Sequence, residues 1–545
     1  MPTARDTSIS PALRPPAGAP GVSISAALRP PAGAQDAWIL LALGALLLVP
    51  GLGAYPLWDP GEGRNALASR EMAEAGRWLV PLLYGEPYYD KPAALFGLLR
   101  AFRAALGESE FALRLPSALA TLGTVLLLYR FACKRVGRVA AFLAGAIYLT
   151  APEVVALGRY CNFDAALAFC TTWATVAWLA WLDERRGTPW SAWVAMGLGV
   201  LVKGPVALVL PLATAVLSAW RRGVVLEAAR AARPLAGALL VAAVVLPWLA
   251  PAAIADPEYV YTFLMRHNVD RYLSSSFVHV RGPFYFIPTI AAGFFPWSLL
   301  LPAAVACVPW RGHAADAAIW AGAVIVFFSL GRAKLATYVL PAFPALSLWL
   351  AIALASAPRA LAMREGRLVR GATILWFAVL ALLPLGALVY TQVAWPELTP
   401  ALLATVPLPL VAWLAWYRMR ADRFALPTVC TLFATVNVVV LISFYLGAAP
   451  VVSRSASDAL LAPAVRDSGL PLFAFRIQPA SLAWYARVPV RRTRDEREIA
   501  AAARHGPVLV VTRARHARRL RDAGIVLEPR LDTRRHLLYA TVPVP

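Results

Sequence analysis

An acid and a base stand side by side in "GEPYYDKPAALFGLL", Gly85–Leu99. Asp90 and Lys91 follow two tyrosines and precede a proline and an apolar run. A carboxylate beside an ammonium at such a border is either an interfacial ion pair or part of a site that grips a charged lipid headgroup. Further charges of both signs lie in other segments between apolar runs: Asp59, Glu62, Arg64, Arg159, Asp164, Lys203, His267, Arg271 and Lys334. Lys91, Asp164, Lys203 and Lys334 directly abut apolar runs. A charge at membrane depth costs about 2.5–3.5 kcal/mol on insertion scales, so one retained there usually has a task.

The elements that must position these residues are membrane helices. The chain has 545 residues, is 60% hydrophobic and only 15% charged, and its mean hydropathy is +0.62. A soluble chain carries about a quarter charged residues. Here the apolar residues come in blocks of roughly 20, the length that crosses a bilayer core. The fold class expected is an all-α polytopic membrane protein of about thirteen spans, near 36–57, 112–131, 138–152, 165–183, 189–202, 205–220, 234–252, 284–308, 314–330, 338–356, 372–391, 401–417 and 425–447. A net charge of +22 suggests nucleic acid, but most basic residues lie in short turns between apolar blocks, where insertion and anionic lipid explain them. The turns with Lys134/Arg135/Arg138, Arg185/Arg186, Arg221/Arg222, Arg311, Arg359–Arg370 and Arg418–Arg423 alternate onto one face. That face and the N-terminus are expected to be cytoplasmic, in a bacterial-type inner membrane. The five cysteines show no paired or metal-type spacing.

Residues 1–35 carry a near-duplicate unit rich in Pro, Ala and Gly, expected as a disordered cytoplasmic tail. The transmembrane domain is expected over 36–449, with a first outer loop at 58–111 and a second at 253–283. In the first loop, Asp59, Pro60 and Glu62 read as N-cap, first helical residue and capping-box acid. "KPAALFGLLRAFRAALG" reads as a helix lying in the membrane interface. Residues 450–545 hold 17 Arg against 8 Asp and Glu, with three strand-like runs and a helical one. A small extracytoplasmic (periplasmic) α/β domain is expected there.

"REMAEAGRWLVPLLYGEPYYDKPAAL" resembles the first outer loop of the GT-C polyprenyl-phosphate-sugar glycosyltransferases. Within them it is most similar to the lipid A aminoarabinose transferases and, more distantly, the protein O-mannosyltransferases. Arg64, Arg70, Glu71, Met72, Gly76, Trp78, Pro81, Gly85, Tyr89, Asp90, Lys91 and Pro92 carry the likeness. "RLPSALATL", "LVKGPVALVLP", "GRAKLATYVLPAFPAL" and "SLAWYARVPV" resemble further family segments. The chain departs from the family at Gly61-Glu62, where an Asp-Glu pair is usual, and at Ala93, where a second proline is common.

The resemblance implies sugar transfer from a polyprenyl-phosphate donor to a lipid, glycan or protein acceptor at the extracytoplasmic face. The leaving group is a lipid phosphate, which needs cations and donors in a partly dry site. Arg64, Lys91, Arg159, Lys203, Arg271, Lys334 and Tyr338 are the implied phosphate contacts, with Tyr89 and Asp164 beside them. Asp59 and Glu62 are the implied acids for proton removal. Asp90 and His267 are the implied ligands of one divalent metal ion. The bland readings are helix caps for Asp59 and Glu62, a loop histidine for His267 and snorkelling anchors for Lys203 and Lys334. A lipid or solute transporter is the rival class, although the halves show no repeat. Gly61 raises a third reading, a family member that binds prenyl phosphate without transferring sugar.

Overall fold

Backbone groups in a hydrocarbon layer must be paired within their own segment, so the apolar runs fold as helices. The structure, a computed structural model, describes residues 34–542 apart from 274–279, 308–309, 357–363, 395, 397–409, 411–412, 415, 418–425 and 534. The Pro-rich tail and most of the span expected at 401–417 lie outside the described residues. The helices that frame the site are α1 (Ala34–Leu48), α2 (Gly61–Glu74), α3 (Ala93–Leu106), α4 (Glu110–Arg135), α5 (Asp164–Glu184), α6 (Trp190–Lys203) and α7 (Val206–Arg221).

Among the described residues, six helices are long and apolar enough to cross a membrane. Two bent pairs, Arg138–Thr150 with Pro152–Gly158 at 66° and Pro283–Gly293 with Trp297–Ala306 at 111°, bring the count to eight if each is one span. The helix expected at 138–152 runs over Arg138–Thr150 and bends only at its end, whereas the straight span expected at 284–308 is broken. Pro152 begins its own helix, and Pro296 lies in the break of the second pair. The span expected at 36–57 ends as a helix at Leu48, and the chain then turns.

Helix α5 has 21 residues, roughly 31 Å at 1.5 Å per residue. It carries Asp164 at one end and Asp183 at the other. The Asp183 end joins an ion-pair network in which Arg135 and Arg222 contact Asp183 at 2.7 and 2.9 Å, and Arg221 and Arg222 contact Asp316 at 2.7 and 2.6 Å. The basic turns at 134–138 and 221–222 thus meet at one end of the bundle. Asp164 and Lys203 sit at the other.

The first loop is anchored by a buried ion pair. Glu62 in α2 takes two hydrogen bonds from Arg114 in α4, both 2.7 Å, and neither side chain is exposed. Glu62 also accepts from the backbone N–H of Trp58 and of Cys161, at 2.9 and 2.8 Å. Arg114 donates onward to the carbonyls of Leu52, Tyr55 and Pro56. Asp59 does not cap α2, which starts at Gly61 without a side-chain cap. Its carboxylate instead accepts from the Ser481 backbone N–H at 3.0 Å and from the Ser481 hydroxyl.

Five strands form the C-terminal sheet: β1 (Leu472–Phe475), β2 (Val490–Thr493), β3 (Leu509–Thr512), β4 (Leu527–Asp532) and β5 (Leu537–Thr541). Their order is β2-β1-β3-β5-β4, with β2, β1 and β3 parallel and the other pairings antiparallel. Side chains alternate between the two faces. Leu472, Ala474, Leu509 and Val511 pack with Leu67, Met72, Phe96 and Leu99 of the first loop. Phe473, Phe475 and Val510 pack with Ile499, Ala517 and Leu520 of the covering helices. First loop and C-terminal sheet therefore share one core. Arg70 reinforces it by donating to the Trp484 and Ala483 carbonyls at 2.6 and 2.9 Å.

Removing one partner of the Glu62–Arg114 pair leaves an uncompensated buried charge, which costs about 3–5 kcal/mol. Arg114→Met should lower the melting temperature of the purified protein sharply, and Glu62→Met combined with Arg114→Met should recover part of the loss. A second expectation concerns pH. Burial first, and then Asp458, push the Asp59 carboxyl up from 3.8 to about 7. Between those values the folded state holds a proton that the unfolded state has released, so stability falls as pH rises through this window. Melting curves from pH 4 to 8 should show that slope, and Asp59→Asn should flatten it.

Candidate functional site

Lys91 is presented by the turn before α3, and three contacts from the second-loop region fix that turn. The Tyr259 hydroxyl donates to the Lys91 carbonyl at 2.8 Å. The Tyr89 hydroxyl donates to Asp256 at 2.8 Å, and the Trp248 indole N–H to the Leu79 carbonyl at 3.2 Å. The second loop is itself helical where it meets this turn. Pro257–Tyr261 continues into wider π-type turns over Thr262–Asp270, which carry His267 and Asn268. Such turns recur at functional sites because they re-aim side chains.

Asp90 is the hub. Its carboxylate lies 2.7 Å from Lys91 Nζ, 3.2 Å from the Arg271 guanidinium, 3.0 Å from His267 Nδ1 and 3.1 Å from the Tyr88 hydroxyl. Burial alone would raise its pKa, but Lys91, His267 and Arg271 outweigh burial and hold the carboxyl well below the usual range. Burial lowers the Lys91 ammonium, with Asp90 opposing. The second charge pair, Lys203 with Asp164, joins the end of α6 to the start of α5. Lys203 Nζ also lies 4.9 Å from the centre of the Tyr338 ring.

These groups surround one cavity of about 310 Å³. Asp90, Lys91, Lys203, His267, Arg271 and Tyr338 form its polar side, and Leu167, Val206, Val209, Leu273, Phe327 and Phe328 its apolar side. The turn "KGP" makes the approach possible. Gly204 has φ +98°, and a Cβ there would lie 2.9 Å from the Phe263 ring and 3.1 Å from Asn268 Oδ1. Only a residue without a side chain lets α6 end against the second loop.

Other residues implied by the resemblance lie elsewhere. Arg159 donates to the Leu47 and Pro50 carbonyls at 2.9 and 2.7 Å, closing the end of α1. Lys334 donates to the Arg281 carbonyl at 3.1 Å and to that of Gly331, and does not line the cavity. Arg64 bonds the Pro60 carbonyl at 2.8 Å. Tyr89 is taken up by Asp256. Asp59 and Glu62 are held by Ser481 and Arg114, and Asp90 is the one carboxylate among the described residues lining the cavity. Position 61 has a physical reason to be glycine, because a Cβ there would lie 2.5 Å from the Tyr160 hydroxyl. Tyr160 fills the space that a side chain at 61 would occupy.

Sequence reasoning missed Arg114 as the partner of Glu62, although a lone arginine opening an apolar run was a signal. It also missed Asn268 and the Phe327–Phe328 wall. Among the described residues no group of three or more His, Cys, Asp or Glu is placed to hold a metal. Asp90 and His267 lie 3.0 Å apart, and Lys91 and Arg271 share the same carboxylate.

Comparison with known proteins gives the same picture. The family pattern of dolichyl-phosphate-mannose-protein mannosyltransferases matches residues 90–250. An undecaprenyl phosphate-alpha-4-amino-4-deoxy-L-arabinose arabinosyl transferase of Pseudomonas paraeruginosa is 32% identical over 410 residues, 71% of this chain and 72% of that protein. One from Sodalis glossinidius is 32% identical over 417 residues, covering 72% and 73%. The crystal structure of ArnT from Cupriavidus metallidurans bound to undecaprenyl phosphate shares the fold, with a TM-score of 0.77 and 24% identity over 93% of this chain and 99% of that one. The chain belongs to the family of undecaprenyl phosphate-aminoarabinose arabinosyl transferases, membrane glycosyltransferases that take their sugar from a polyprenyl phosphate.

Proposed function

We propose that the cavity holds the phosphate of an undecaprenyl phosphate-linked sugar, 4-amino-4-deoxy-L-arabinose as in the relatives, and that the sugar passes to an anionic acceptor. The observation that carries the reading is the convergence of Lys91, Lys203 and Arg271 on one cavity with an apolar wall. Both lysines and Arg271 are paired with carboxylates, Asp90 and Asp164, and a phosphate entering between them brings further negative charge to three cations. As the bond from sugar to phosphate breaks, charge grows on the leaving phosphate. Cations already fixed around it stabilise that growth without reorganising. Tyr338 supplies a hydroxyl on the same side. The apolar wall suits the first isoprene units next to the phosphate.

The acceptor follows from which acids are available. Asp90 already meets four donors, and Asp164 is committed to Lys203. A hydroxyl acceptor would need a base to take its proton. A phosphomonoester has a second pKa near ~6 and is already a nucleophile at neutral pH. The lack of an uncommitted carboxylate among the described cavity residues favours the phosphate. No step is routed through a metal, and transfer is expected to persist in the presence of a chelator.

The reading extends to the topology. Six long crossings, two bent ones and three shorter apolar helices are joined by Arg364–Ala394. That makes twelve among the described residues, with the N-terminus cytoplasmic and the C-terminal sheet at the extracytoplasmic face. The Asp183–Arg222–Asp316 network at the opposite end of α5 from Asp164 supports that orientation. A second reading, prenyl phosphate binding without transfer, is favoured by one observation: Tyr160 occupies the space beside Gly61, where the resemblance leads one to expect an acid.

One assay separates the two. Purified protein is supplied with undecaprenyl phosphate-aminoarabinose and a lipid acceptor, either phosphorylated or dephosphorylated, and products are read by mass spectrometry. Transfer to the phosphorylated acceptor alone is expected. Lys91→Met should reduce the rate by about 10²–10³, the scale of losing one preorganised charge partner. Equal use of the dephosphorylated acceptor would overturn the anionic-acceptor reading. Tight donor binding with no product from either acceptor would establish the second reading.

A further inference from the structure

A second polar cavity, about 620 Å³, opens between the C-terminal sheet and Pro60 at the start of α2. Its charged lining is Arg476, Arg492, Arg494, Arg513, Arg535 and His536. We propose that this cleft is a phosphate-binding site, separate from the donor cavity, that takes a phosphomonoester headgroup.

The topology puts the arginines where an open α/β sheet binds ligands. Strands β2, β1 and β3 run parallel in that order. Arg494, Arg476 and Arg513 are the residues that immediately follow β2, β1 and β3. All three therefore stand at the carboxyl edge of the parallel strands. β1 lies between β2 and β3, so the chain leaves it in one direction and returns past it on the other side. The crevice at such a reversal is the usual ligand site of these sheets. Here the edge is lined with guanidinium groups, whose planar donor pairs match two phosphate oxygens at once.

The side chains are arranged rather than merely abundant. Arg492 lies 4.5 Å from the centre of the Tyr84 ring, which fixes it against the first loop. Arg476 donates to the Arg494 carbonyl at 3.2 Å. The acids nearby do not balance the cluster. Glu496 reaches Arg476 at 3.7 Å, and the fully buried Asp458 lies 3.6 Å from Arg535. Five like charges around one open cleft repel one another, and a bound dianion relieves that repulsion.

His536 is the independent pointer. It is 2% exposed, and its Nδ1 lies 2.8 Å from the Asp458 carboxylate. A carboxylate only accepts, so Nδ1 carries the hydrogen there. The other ring nitrogen, Nε2, is buried and has no hydrogen-bond partner. A buried polar atom left unpaired on a ring that lines a cleft calls for a ligand atom. A phosphate oxygen, or a phosphate O–H, satisfies Nε2 in either protonation state of the ring.

The same chemistry arrives from a lipid headgroup or from free phosphate, and one experiment tells them apart without any transfer assay. The full-length protein is placed in phosphatidylcholine nanodiscs and its arginines are labelled with phenylglyoxal, each site being read by peptide mass spectrometry. Inorganic phosphate should slow labelling of Arg494 and Arg513 several-fold and leave Arg518, which is exposed and outside the cleft, unaffected. In a second arm, nanodiscs containing phosphatidic acid replace free phosphate. Protection in that arm identifies a lipid headgroup, and protection in the first arm alone identifies a soluble phosphate ligand. The double variant Arg494→Gln with Arg513→Gln changes only exposed side chains, and its melting temperature confirms folding. It should abolish protection of Arg476 and Arg492. Absence of protection in both arms, or equal protection of Arg518, overturns the proposal. The site stands or falls on this result whether or not the donor cavity transfers a sugar.

Discussion

The arrangement of the outer surface rests on the buried Glu62–Arg114 contact. The acid belongs to the first loop and the arginine to the membrane helix that follows it, 52 residues later in the chain. Neither charge meets water, so the pair is tolerable only because every remaining lone pair and proton is also satisfied. Glu62 uses the N–H groups of Trp58 and Cys161, and Arg114 uses three carbonyls of the turn after α1. One contact therefore fixes α2, the turn leaving α1, the turn entering α5 and the top of α4 together. The C-terminal sheet then packs on α2 and α3, and the turn bearing Lys91 has a rigid base.

From that base, two loops distant in sequence meet at a single carboxylate. Asp90 brings its own neighbour Lys91 together with Arg271 from the second loop. Without the acid, the Lys91 ammonium and the Arg271 guanidinium would repel each other and the loops would part. With it, the cations are held close at little cost until a phosphate offers more negative charge. This is preorganisation by a counter-ion: Asp90 keeps the positive groups in place beside the cavity proposed for the donor phosphate. Lys203 and Asp164 repeat the device on the opposite wall, carried by the ends of two membrane helices.

Much of this was legible in the sequence. Apolar block length gave the helical membrane class, because hydrocarbon thickness sets segment length directly. Charge alternation put Asp164 and Arg185 on opposite faces, and the two stand at opposite ends of one helix. The "YYDKP" stretch pointed to Lys91, and "LVKGP" and "ATY" to Lys203 and Tyr338. What sequence could not show was which way a charge turns. Glu62 and Asp59 look alike as loop acids, yet one finds an arginine in a membrane helix and the other a serine more than 400 residues away. The bends at 151 and 294–296 were also hidden, since a proline marks a possible break without saying whether the helix kinks or stops.

The fate of the cations supplies a rule that sequence alone lacks. Arg64, Arg114, Arg159 and Lys334 all reach backbone carbonyls, most of them near helix ends or in the turns that follow, where carbonyls lack partners of their own. At Arg114 and Arg159 such a cation is consumed, because releasing it to a ligand would leave buried carbonyls unpaired. Lys91, Lys203 and Arg271 reach carboxylates beside a cavity, with Lys91 also donating to the Asp90 carbonyl. A carboxylate can keep its ion pair while the cation turns a second face to phosphate, because an ammonium has three donors and a guanidinium five. Identical residue types at similar borders thus divide into staples and ligands according to the acceptor that each one meets. The arginines at the edge of the C-terminal sheet form a third state, gathered around a space with too few acceptors of either kind, and that deficit makes the cleft receptive to an anion.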